Sequence, residues 1–208
     1  MKIKCSMCGR LNDANTEKGF FNERGNTVYN RIFPSTQRIK EDIQEMVECN
    51  YCGFVFPSLD ECLSQNAKNL LNELEYKNVG KIAEDEEVRK AYKVGLICSV
   101  EGINIMAATY FMYAAILSGL PENRNILLKK AFEEIIHDKK KRNSNFLMYI
   151  NILRMNKLFK ATLLEAYDNI VRIENPFEKA IIYSIINLSK DGNDEYYDLF
   201  DLLKKNEE

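Results

Sequence analysis

A small β segment clamped by four cysteines, followed by an all-α domain of antiparallel helical hairpins, is the fold class this sequence predicts. Two copies of C-x-x-C-G, Cys5-Ser6-Met7-Cys8-Gly9 and Cys49-Asn50-Tyr51-Cys52-Gly53, stand in the first quarter of the chain. From Leu59 onward apolar residues recur at the helical period, with almost no strand-like alternation. That stretch is also punctuated as helices are, with Pro121 and Pro176 near helix starts and glycines just past helix ends. Two domains follow: residues 1–58, the cysteine segment with a long insert between its knuckles, and residues 59–208, the helical part.

In each knuckle the two-residue spacer lets both sulfurs reach one ion, and the following glycine permits the left-handed turn that brings backbone amides toward the sulfurs. Two knuckles place four thiolates in a tetrahedron. Soft tetrahedral sulfur ligation suits zinc, with mononuclear iron or metal-free thiols as the alternatives. One structural zinc ion held by Cys5, Cys8, Cys49 and Cys52 is the expectation, and a four-thiolate site keeps no position open for a substrate water. Six cysteines with no secretion signal after Met1 indicate reduced thiols and a cytoplasmic protein.

The 40 residues between Cys8 and Cys49 are about twice the usual separation of ~15–20. Within this insert, Gly19-Phe20-Phe21 and the β-branched and aromatic run from Asn26 to Phe33 read as short strands. Arg38 to Val47 fits either a brief helix or a strand, with a strand expected from Glu45 to Glu48 to carry the chain into the second knuckle, as in a zinc ribbon. Ser58-Leu-Asp-Glu61 reads as a capping box that puts Cys62 on the first turn of a helix, packed near the metal without joining it. Cys98, among Val94, Leu96, Ile97 and Val100, reads as core.

Helices are expected over Leu59–Asn78, Asp85–Val100, Ile103–Ser118, Glu122–Asp138, Ser144–Met155, Leu158–Ile173, Pro176–Ser189 and Asp194–Lys205. Their short connections imply antiparallel neighbours, in a bundle or a stack of repeats. The uncharged stretch from Gly102 to Pro121 approaches a membrane span in length, but Asn104, Thr109, Ser118 and two tyrosines make it a buried central helix instead.

Charge limits the partners. The chain carries 29 basic and 31 acidic residues, whereas a protein built mainly to grip nucleic acid shows a basic excess. The charge is uneven, however. Ten Lys/Arg face four Asp/Glu from Pro121 to Lys160, centred on Lys139, Lys140, Lys141 and Arg142, a run that reads as a solvated loop or a contact for phosphate or an acidic partner. The lone histidine, His137, lies four residues after Glu133 and reads as a helix-terminal residue, not half of a catalytic pair. With no phosphate-cradling glycine loop and no nucleophile motif, catalysis is not expected.

The aromatic and small residues of Ala180–Leu188 and Tyr196–Leu203, flanking Asp191-Gly-Asn, resemble a tetratricopeptide hairpin, as do Ala91–Cys98 with Ala107–Ala115. Tyr183, Tyr196 and Tyr197 are the candidate partner-binding residues of the last pair, with core packing as the alternative. Taken in order, Cys5-Ser-Met-Cys-Gly, Val47-Glu-Cys-Asn-Tyr-Cys-Gly-Phe, Ala91-Tyr-Lys-Val-Gly-Leu with Ala107–Ala115, and the hairpin around Gly192 resemble a family of mainly Gram-positive bacteria whose function is not known. In that family a four-cysteine zinc ribbon with a long insert precedes tetratricopeptide-like helices. The resemblance implies fold and metal, with Cys5, Cys8, Cys49 and Cys52 as ligands, and no reaction. The expected function is a zinc-binding adaptor whose helical hairpins bind a protein or peptide, the alternative being a nucleic-acid-associated regulator that uses the ribbon and residues 139–142.

Overall fold

The computed structural model describes residues 2–13, 32–57, 63–79, 85–137 and 145–204. Within them the chain is mostly helical, with two small antiparallel hairpins near the N-terminus. β1 (Lys2–Lys4) pairs with β2 (Leu11–Asp13), and β3 (Val47–Glu48) pairs with β4 (Val55–Phe56). The registers match: Lys4 faces Leu11 and Glu48 faces Val55, so each hairpin closes its strands around a C-x-x-C-G turn at the same offset from its first cysteine.

The strands expected at residues 19–21 and from Asn26 onward lie almost wholly outside the described residues, as do Cys62, the capping box and Lys139, Lys140, Lys141 and Arg142. The two alternatives for Arg38–Val47 each hold over part of the range. Ser35 accepts from the Arg38 amide and starts α1 (Thr36–Gln44), which buries Ile39 and Ile43, and the chain then extends into β3.

In place of one helix over Leu59–Asn78 the described part of that range forms two short ones, α2 (Gln65–Leu70), capped by Ser64, and α3 (Leu74–Lys77). The break turns Tyr76 inward, where its hydroxyl bonds the second knuckle. The next three helices, α4 (Glu86–Val100), α5 (Asn104–Leu117) and α6 (Pro121–His137), pack in succession. α4 and α5 meet at Gly95, where a Cβ would lie 2.6 Å from the Phe111 ring. The uncharged α5 buries Phe111, Met112, Tyr113 and four alanines, and among the described residues no helix is long and apolar enough to cross a membrane.

α7 (Phe146–Met155), α8 (Phe159–Ile170), α9 (Pro176–Lys190) and α10 (Leu199–Lys204) complete the described helices. The last starts five residues later than expected. Residues 193–198 are irregular because side chains elsewhere hold their backbone: Arg154 donates to the Asn193 carbonyl, Arg124 pairs with Asp194 at 3.0 Å, and Tyr196 donates to the Pro34 carbonyl at 2.6 Å. Asp198 then accepts from the Asp201 amide and opens α10. One buried core runs from Cys5, Cys49 and Phe54 in the hairpins through α4, α5 and α6 to Ile181 and Leu202.

Candidate metal centre

Each knuckle folds locally by the same two backbone bonds. Gly9 N–H donates to the Cys5 carbonyl and Cys5 N–H to that of Arg10, while Gly53 donates to Cys49 and Cys49 to Phe54. Gly9 at φ 73° and Gly53 at φ 69° take the left-handed conformation that the motif demands, which a Cβ would oppose.

These turns aim four sulfurs at one point. All four Sγ atoms lie within 4.8 Å of one another, and across the knuckles Cys5 stands 3.8 Å from Cys52 and Cys8 3.6 Å from Cys49. A tetrahedron with metal–sulfur bonds of ~2.3 Å has edges of about 3.8 Å. The donor set therefore fits a four-thiolate metal ion. Cys5 and Cys49 are buried, Cys52 is half-buried and Cys8 lies at the exposed rim.

The environment is uneven. Burial pushes the Cys5 thiol up against the opposing Cys8 and Met7 amides, and drives Cys52 well above the ordinary thiol range. Burial also acts on Cys49, yet the Tyr51 and Cys52 amides, the Asn12 carboxamide and the Cys52 thiol together bring it down to about 7.

Two groups absent from the cysteine motif hold the site in place. Asn12, 2% exposed on β2, reaches across to the other knuckle, donating to Cys49 Sγ at 3.4 Å and accepting from Asn50 N–H at 3.0 Å. From the helical side, Lys93 Nζ sits 2.7 Å from Glu48 and donates to the Gly53 carbonyl, which also accepts from Tyr76. Neither was legible in the motif. A signal for Asn12 did exist: it falls seven residues after Cys5, where the second hairpin has Phe56.

The other candidates are dispersed. Tyr183 is half-exposed on α9. The Tyr196 hydroxyl bonds Pro34, and the Tyr197 hydroxyl accepts from Asn193 and donates to Glu195, so both are engaged within the fold. α6 ends at His137, whose side chain lies outside the described residues. Cys98 is core, its thiol pushed up to about 12 by burial. The chain matches no family model, no curated protein and no solved structure.

Proposed function

We propose that this protein is a cytoplasmic zinc-binding adaptor, in which one structural zinc ion held by Cys5, Cys8, Cys49 and Cys52 fixes a ribbon against a tetratricopeptide-like helical body that binds a protein or peptide. The observation that supports the zinc reading is the convergence of four sulfurs, all within 4.8 Å of one another, from two hairpins of matching register. When bound, zinc supplies cross-linking free energy that two hairpins this short lack by themselves. The reading assigns no reaction.

What supports a protein partner is an apolar stripe on the outer face of α8 and just beyond it. Leu164, Tyr167 and Val171 recur at helical spacing, and Val171 is 79% exposed. Lys190 of α9 lies over the Tyr167 ring, and Tyr183 stands seven residues earlier on that helix, two turns away along the same face. Apolar groups grouped in this way on a surface mark interaction sites. The Leu164→Glu/Val171→Glu variant is expected to keep the metal content and thermal midpoint of the wild type and to lose the protein that cross-links to a photoreactive group at position 183. An unchanged cross-link refutes the adaptor reading.

One observation favours the nucleic-acid alternative. The Arg10 guanidinium lies 4.9 Å from the centroid of the Tyr51 ring, which is 55% exposed, and Lys2 and Lys4 are exposed on the same hairpin. A cation beside an open aromatic face suits a stacked base and its phosphate. Salt-sensitive binding of a labelled single strand, lost in Arg10→Ala/Tyr51→Ala, would establish that reading; no binding at low salt removes it.

A further inference from the structure

The two hairpins are built on one plan, and the place where they differ carries a further role. In both, the seventh residue after the first cysteine turns inward: Asn12 is 2% exposed and Phe56 is 8% exposed. An apolar residue such as Phe56 is the ordinary occupant of such a position, because burying a carboxamide is unfavourable unless every polar atom finds a partner. At Asn12 each one does. Nδ2 donates to the Arg10 carbonyl at 3.2 Å and to Cys49 Sγ at 3.4 Å, and Oδ1 accepts from Asn50 N–H at 3.0 Å. The Asn50 amide can only donate, so Oδ1 must face it, and the NH2 group is thereby turned toward the sulfur.

The bond crosses between hairpins. Arg10, whose carbonyl also accepts from Cys5 N–H, belongs to the first knuckle, whereas Cys49 and Asn50 belong to the second. Asn12 thus ties the backbone of one knuckle to a ligand sulfur of the other. It also sets an N–H donor against a centre that, with four thiolates around a divalent ion, carries a net double negative charge in a partly buried place.

We infer that Asn12 is a positioning residue of the metal centre, which registers the two knuckles on each other and strengthens metal binding through its N–H to Cys49 Sγ. The inference rests on the metal reading above. Partners of ligand atoms act in this way generally, and their loss costs about 10–100-fold in metal affinity.

Two variants separate a donor from a space-filler. Asn12→Asp keeps the size and the acceptor for Asn50 but replaces the donor with a charged oxygen. Asn12→Leu fills the position as Phe56 does in the other hairpin and adds no charge. Cobalt and zinc affinities are measured by competition with a chromophoric chelator under reducing conditions, together with the sulfur-to-cobalt charge-transfer bands. Both variants are expected to bind at least tenfold more weakly than wild type, Asn12→Asp the more so, with shifted bands. Wild-type affinity and unshifted bands in Asn12→Leu overturn the inference, as does tight binding by Asn12→Asp. A wild-type chain that takes up neither metal instead overturns the metal reading itself, and the inference with it.

Discussion

Lys157 is the one non-glycine residue at positive φ among the described residues, at 62°. It closes α7 by the same bonds that Gly102 and Gly192 make after α4 and α9: its N–H reaches back three residues, and that of the next residue reaches back five. A side chain in this conformation costs roughly 1 kcal/mol, and its amine, 4.0 Å from Asp194 and mostly exposed, returns little. Glycine relieves the strain but adds freedom to the unfolded chain. Lys157→Gly is therefore expected to raise urea-unfolding stability by about 0.5 kcal/mol; a clear loss would show that the Lys157–Asp194 contact matters more than the geometry implies.

At the scale of elements, α3 and α4 meet the second hairpin through bonds that cannot be read locally. The buried Tyr76 hydroxyl donates to the Gly53 carbonyl at 3.0 Å and accepts from Val55 N–H at 3.1 Å. Tyr76→Phe leaves the Val55 amide without a partner inside the protein, at a cost of about 1–3 kcal/mol. Urea unfolding in the presence of zinc measures it, and an effect within error would show that the helices do not depend on this contact with the second hairpin.

The same helices meet α6 at Glu75, which accepts from Lys130 and from Tyr92 at 2.7 and 2.6 Å. Burial acts on this carboxyl in the upward direction, but Lys130 and the Tyr92 hydroxyl outweigh it and hold its pKa below the ordinary carboxylate value. A depressed folded-state pKa contributes stability above the unfolded pKa and loses it as pH falls through the folded value. Glu75→Gln should narrow the stability gap between pH 7 and acid pH; an identical pH profile would show that the pair contributes nothing.

For the whole molecule, what was legible depended on how local its cause is. The C-x-x-C-G turns and the described helices between Glu86 and Lys190 follow from spacing, apolar period and the prolines and glycines at helix ends, which act within a few residues. The break before α3 and the delayed start of α10 do not, since each is imposed from outside: Tyr76 is drawn to Gly53, and residues 193–198 are held by Arg124, Arg154 and Pro34. Asn12 was hidden for the same reason, its partner Cys49 being 37 residues away. The choice of Tyr183, Tyr196 and Tyr197 as candidates rests on aromatic spacing alone, which does not distinguish the exposed Tyr183 from Tyr196, whose hydroxyl is bonded to Pro34 across the fold.

Cys5 and Cys49 belong to the core that continues into the helices, so a metal ion held by the four cysteines would support the whole fold and not the two hairpins alone. The most direct test is native mass spectrometry of the untagged, reduced protein beside its Cys49→Ala/Cys52→Ala variant. One zinc ion per wild-type chain and none in the variant is the expected result. A metal-free wild-type chain, one that carries iron, or zinc retained by the variant would contradict it.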